Sequence, residues 1–205
     1  MILIMNPRFK LGITGGIGSG KTSVCKVFEV LGIGVFSADR EAQRIMDNDQ
    51  DIINGINVVA GKDLYINGSL NRTELASIIF KDKNILMKVN SLIHPAVFEN
   101  FKKWTLMQSS PYVIIEAAIL FESGGTEFVD RIATVVAPVE QRIKRVIQRN
   151  KLSEEQVMDR MRNQMDDQER IKKSDFIIQN SENDMIIPSI LTIHNEILTL
   201  INAKS

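Results

Sequence analysis

Apolar residues along the chain fall into short runs separated by longer stretches of helical periodicity. Phe9 to Thr14 is an apolar run ending in glycines, which predicts a short strand buried on both faces. Thr22 to Leu31 follows with Val24, Val27, Phe28 and Leu31 on one helical face. Similar runs recur at Ile33 to Phe36, Tyr112 to Ile115, Ile132 to Val136 and Phe176 to Ile178, each followed by polar or helical sequence. Strands alternating with helices predict an α/β fold, a five-stranded parallel sheet flanked by helices.

Two intervals are too long for ordinary crossovers. Ala42 to Ser110 contains helical segments such as Thr73 to Phe80 and Val97 to Met107, interrupted by the turn-forming "AGKDLYINGSLNR". It reads as an inserted helical subdomain. Pro138 to Ser174 is helical by composition and dense in both charge signs, with Arg142, Lys144, Arg145 and Arg149 among glutamates and aspartates, the usual make-up of a solvated helix face. The expected organisation is a core of residues 1–41, 111–139 and 174–205, an insertion at 42–110 and a helical segment at 140–173.

Composition narrows the function classes. With 205 residues, 44% hydrophobic and 24% charged, the chain has the make-up of an ordinary globular protein. A formal net charge of +0 argues against a surface built to hold nucleic acid by counterion release. The single cysteine, Cys25, excludes a disulfide framework or zinc cluster and fits a cytoplasmic setting. "MILIM" is too short for a signal peptide and no apolar run approaches a membrane span, so neither processing nor a membrane partner is expected.

The chemistry is concentrated in "GITGGIGSGKTS". Gly15, four residues, then Gly20, Lys21 and Thr22 satisfy G-x-x-x-x-G-K-[ST] between a predicted strand and a predicted helix. Absent side chains let backbone amides converge on phosphate oxygens, the helix adds the positive end of its dipole, Lys21 reaches the outer phosphates, and Thr22 can ligate Mg²⁺. The ligand is a nucleoside triphosphate. A GTPase would carry N-K-x-D, which "NKLS" lacks, and a motor ATPase would end its third strand in a magnesium-holding aspartate, whereas that strand runs "YVIIEAAILFE". Asp39, closing the second strand in "FSADREAQRI", is either a base for an acceptor hydroxyl or a helix N-cap.

"ITGGIGSGKT", "GIGVFSADREAQRI", "LIHP", "AAILFESG", "RMRNQM" and "SDFIIQN" follow one another in the order and spacing of the dephospho-CoA kinase family, which the chain resembles from Lys10 to about Asn180. The resemblance implies transfer of the ATP γ-phosphate to the ribose 3′-hydroxyl of 3′-dephospho-CoA, with ATP and Mg²⁺ as cofactors and no obligate protein partner. It makes Asp39 the general base, with Lys21 and Arg145 as the other catalytic groups. Gly15, Gly16, Gly18, Ser19, Gly20, Lys21, Thr22 and Ser23 become the ATP cradle.

His94, Pro95, Leu120, Phe121 and Glu122 fall on the acceptor side by the same resemblance. Arg145 and Arg149 align with a mobile lid, Arg160 and Gln164 with the family's R-I-x-x-Q stretch, and Asn180 with residues near the adenine. Ser37 and Ala118 depart from the family's aspartate and proline. The nearest alternatives are a kinase for a nucleoside monophosphate or other small hydroxyl compound, and a nucleotide-binding regulator without catalysis.

Overall fold

The computed structural model describes residues 8–150 and 152–203; "MILIM" lies outside them. The chain divides into two compact units, one formed by the described residues up to Phe36 and from Thr105 onward, the other by Ser37–Trp104.

The first unit is built on a five-stranded sheet. Strands β1 (Phe9–Thr14), β2 (Gly34–Ser37), β5 (Tyr112–Glu116), β6 (Arg131–Val136) and β7 (Phe176–Gln179) lie in the order β2-β5-β1-β6-β7. The pairings of β1 with β5 and β6, and of β6 with β7, are parallel. Central β1 is buried from Leu11 to Thr14, the part of the strand beyond Lys10. Leu11 and Ile13 join Val24 and Phe28 of α1 (Lys21–Val30) and Ile190, Ile193 and Ile197 of α9 (Ile186–Asn202) in one core. Gly12 is packed against Leu120 so closely that an added methyl would lie 2.6 Å from the leucine Cδ2.

Parallel pairing sends the C-terminal ends of these strands to one edge, the edge where open α/β sheets hold ligands. The segments leaving β1, β5, β6 and β7 there lead respectively to the glycine loop, Ala117, α6 (Val139–Asn150) and Asn180. Helices α7 (Glu154–Arg162) and α8 (Asp167–Lys172) belong to this same unit.

The second unit contains α2 (Ala38–Asn48), α3 (Gln50–Ala60), β3 (Tyr65–Ile66), β4 (Ser69–Leu70), α4 (Arg72–Lys81) and most of α5 (Lys83–Leu106). Asp49 accepts from Asp51 N and Ile52 N to cap α3, and Asn71 accepts from Glu74 N to cap α4. Ile45, Ile52, Ile56, Leu64, Leu75, Val97 and Phe101 are buried within it.

Two local expectations change. "YINGSL" is an antiparallel hairpin rather than a plain turn, because Asn67 (φ 52°) and Gly68 (φ 77°) adopt the two left-handed conformations that suit a two-residue hairpin loop. Helix α5 begins at Lys83 and continues through Pro95 to Leu106, where the sequence pattern showed only the part after Val97. Proline withholds one i→i−4 hydrogen bond, and buried Val89, Ile93, Val97 and Phe101, four residues apart, carry the helix across that gap.

Candidate functional site

The glycine loop leaves β1 and enters α1 through three left-handed glycines, Gly15 (φ 149°), Gly18 (φ 79°) and Gly20 (φ 96°). At Gly15 a side chain is excluded twice, by the backbone conformation and by the Val135 carbonyl oxygen, which an added Cβ would strike. Gly15→Ala is therefore expected to cost more than the ~1–3 kcal/mol of a strained backbone position, read as a lower denaturant midpoint with unchanged m.

Lys21 is 8% exposed and folds back over the loop, its Nζ donating to Gly15 O at 2.9 Å and to Gly16 O at 3.5 Å. Gly20 is the N-cap of α1 and no side chain caps the helix there, an arrangement that suits an anion at the helix N-terminus. Ser19 is fully buried and its Oγ has no protein partner.

Thr22, in the first turn of α1, donates from Oγ1 to Glu116 Oε1 at 3.0 Å. Glu116 is the last residue of β5, the place where a motor ATPase would carry a magnesium-holding aspartate. Strand β5 does end in a carboxylate, longer by one methylene, and it meets the threonine of the loop. A hydroxyl and a carboxylate are hard oxygen donors of the kind Mg²⁺ takes in ones and twos beside substrate phosphates. Among the described residues no cluster of three or more histidine, cysteine, aspartate or glutamate side chains forms a self-sufficient metal site.

Three side chains close on the loop from the C-terminal half of the chain. Asn180 donates from Nδ2 to Ser19 O at 2.7 Å and lies so close to Gly20 that a methyl there would collide with it. Arg145 donates from Nη2 to Asn180 O at 3.0 Å, while its Nη1 is buried with no protein acceptor. A buried guanidinium donor left open beside an anion cradle fits a phosphate oxygen as its missing partner. Gln164 accepts at Oε1 from Ile17 N at 2.8 Å.

Arg142 departs most from expectation. The charge pattern read it as part of a solvated face, yet it is 3% exposed. Its Nε donates to Ile17 O at 2.9 Å, its Nη1 meets Asp167 Oδ2 at 2.5 Å, and its guanidinium fills the space a side chain on Gly16 would need. Burial lowers its pKa from the ordinary arginine value, and the Asp167 carboxylate opposes that shift. Lys144, two residues on, is exposed, as is Arg149. Only contacts distant in sequence separate the two cases, so helical spacing could not.

The remaining sequence candidates fall in two places. Leu120 is fully buried against Gly12, Phe121 is half-buried, and exposed Glu122 accepts from Met165 N at 2.8 Å, bracing the turn before α8. Arg160 lies in the last turn of α7.

In the second unit, exposed Asp39 occupies the first turn of α2, a place where the helix dipole favours negative charge. Ser37 holds the N-cap position, so the N-cap alternative for Asp39 falls away. His94 is half-buried on α5 and burial lowers its pKa, so its imidazole is neutral near pH 7; Pro95 beside it is exposed.

Comparison with known proteins gives the same picture from another direction. The family model described as dephospho-CoA kinase matches residues 9–185. A dephospho-CoA kinase of Bacteroides fragilis is 39% identical over 183 residues, covering 89% of this chain and 89% of its own. Among solved structures, one from Thermus thermophilus superimposes with a TM-score of 0.80 at 28% identity, covering 95% of this chain and 98% of its own. Dephospho-CoA kinase from Campylobacter jejuni does so with a TM-score of 0.65 at 26% identity, covering 92% and 96%. A shikimate kinase from Acinetobacter baumannii, at 17% identity and a TM-score of 0.51, shares the fold alone. With the whole five-stranded sheet, the glycine loop and helices α1 to α8 inside the matched region, the chain belongs to the dephospho-CoA kinase family.

Proposed function

We propose that this protein transfers the γ-phosphoryl group of ATP to the ribose 3′-hydroxyl of 3′-dephospho-CoA, giving CoA and ADP, with Mg²⁺ as the accompanying cation and the cytoplasm as the setting. The observation that carries the ATP half is the loop itself: three left-handed glycines, a buried Lys21 folded over them, and the α1 amides uncapped behind. The acceptor half rests on the family match over residues 9–185.

In this reading the bond between the γ-phosphorus and the ADP oxygen breaks as the ribose oxygen bonds to phosphorus, and Asp39 takes the proton that the hydroxyl releases. Lys21 and the loop amides stabilise charge on the departing ADP and on the phosphoryl oxygens, and Arg145 presents its open Nη1 to the same oxygens. Thr22 and Glu116 are the residues that would hold Mg²⁺, which supplies further neutralisation of phosphate charge. Arg149, exposed on α6, is the second lid cation in this scheme, and Asn180 fixes the loop at Ser19 while bordering the nucleotide.

His94, Pro95 and Phe121 are assigned to the acceptor. Glu122 is assigned there too, its bond to Met165 N tying that assignment to the turn before α8. Leu120, fully buried against Gly12, contributes to that side by packing.

A substrate panel tests the reading. ADP release is expected with dephospho-CoA and not with AMP, CMP or shikimate; release with one of these and not with dephospho-CoA would transfer the assignment to the alternative small-molecule kinase.

A further inference from the structure

Around Ile17 of the glycine loop, polar contacts close into a ring. Ile17 N donates to Gln164 Oε1 at 2.8 Å. The neighbouring residue, Met165, accepts at its carbonyl oxygen from Arg170 Nη2 at 2.7 Å. Arg170 Nη1 meets Asp167 Oδ1 at 2.5 Å, and the other oxygen of the same carboxylate meets Arg142 Nη1 at 2.5 Å. Arg142 Nε then returns to Ile17 O at 2.9 Å. Both main-chain polar atoms of Ile17 are thereby held by side chains more than a hundred residues away.

Arg170 is fully buried and Arg142 3% exposed, against an Asp167 side chain that is 30% exposed. Two guanidinium groups sharing one carboxylate leave a net positive charge beside the loop. Burying such a group is costly, and replacing it with apolar side chains often stabilises a fold, so stability alone is a poor account of it. What the ring touches gives a better one. Ile17 stands between Gly16 and Gly18, in a segment whose glycines have the largest backbone freedom of any residue. An amide cradle binds anions well only when its donors are already aimed, because ordering them on binding subtracts from affinity.

We propose that Arg142, Gln164, Asp167 and Arg170 are positioning residues that hold the glycine loop in its triphosphate-binding shape by clamping Ile17 from both sides. The proposal rests on the loop being the ATP cradle and needs nothing from the acceptor assignment. Of the four, Gln164 and Asp167 form the accessible side of the ring, while Arg142 also blocks the space over Gly16.

The test uses inorganic tripolyphosphate, which probes the cradle without nucleoside or acceptor. Arg142→Lys keeps the charge but cannot offer the guanidinium fork to Ile17 O and Asp167 together. It is expected to weaken tripolyphosphate binding in titration calorimetry by about tenfold, the worth of a charge-assisted hydrogen bond. Gln164→Ala, which removes a neutral acceptor, is expected to weaken it by roughly three- to tenfold. KM for ATP should rise in step while KM for dephospho-CoA stays within twofold, a split that a merely structural role would not produce.

Both variants are assayed where circular dichroism shows them folded; should Arg142→Lys not fold, Gln164→Ala decides alone. Binding within twofold of wild type by the folded variants overturns the proposal, as does a wild type without affinity for tripolyphosphate. The expected losses in a wild-type background that binds ATP yet leaves dephospho-CoA untouched would support the ring and overturn the acceptor assignment instead.

Discussion

Lys21→Ala is expected to remove on the order of 3 kcal/mol of transition-state stabilisation, a fall in kcat/KM of roughly a hundredfold. The size follows from where the ammonium sits. It is buried against the loop, 2.9 Å from Gly15 O, so its charge acts in a medium less screened than bulk water and needs little reorganisation to meet phosphate oxygens. Steady-state kinetics with ATP varied at saturating dephospho-CoA would measure the loss. A fall of less than threefold would mean that the backbone amides bear the phosphate charge by themselves. The substitution also removes the bond to Gly15 O, so a thermal melt separates loss of loop order from loss of charge.

Asp39→Asn is expected to reduce kcat by about a hundredfold to ten-thousandfold, the range for losing a positioned general base, while the dissociation constant for ATP changes less than twofold. The substitution keeps the size of the side chain and its place in the first turn of α2, and removes the ability to accept a proton. Loss of the negative charge costs the helix terminus a few tenths of a kcal/mol at most, too little to account for such a drop. Rapid-quench measurement of a single turnover distinguishes slow chemistry from slow product release. An unchanged single-turnover rate would remove Asp39 from the reaction, and the other carboxylate of the same first turn, Glu41, would not replace it. That carboxylate is held by Arg44 and by Asn100 Nδ2 at 2.8 Å, with its pKa lowered chiefly by the Arg44 hydrogen bond.

The sheet was readable from sequence because its strands are short, mostly apolar runs, and because glycines mark where β1 ends. The loop was readable for a different reason: its spacing is dictated by the ligand rather than by packing. Signals that depend on distant partners were less accessible. Arg142 and Lys144 look alike in a helical pattern, and only the arrival of Ile17 and Asp167 buries one of them. Glu116 had the right place at the end of its strand, but its significance comes from Thr22, ninety-four positions away in the chain. The Asn67-Gly68 hairpin was different again. Its Asn-Gly signal was present in the sequence, and the two-residue strands on either side were too short to show an alternation.

Arg142 and Gln164 grip the same residue, so the chain between them leaves Ile17 and comes back to it, as a bucket handle has both ends seated in one rim. Arg145, close to one seat, is already tied to Asn180 O, whereas Arg149 lies one helical turn farther along α6. Within the proposed reaction, Arg145 is therefore the cation already anchored beside the glycine loop.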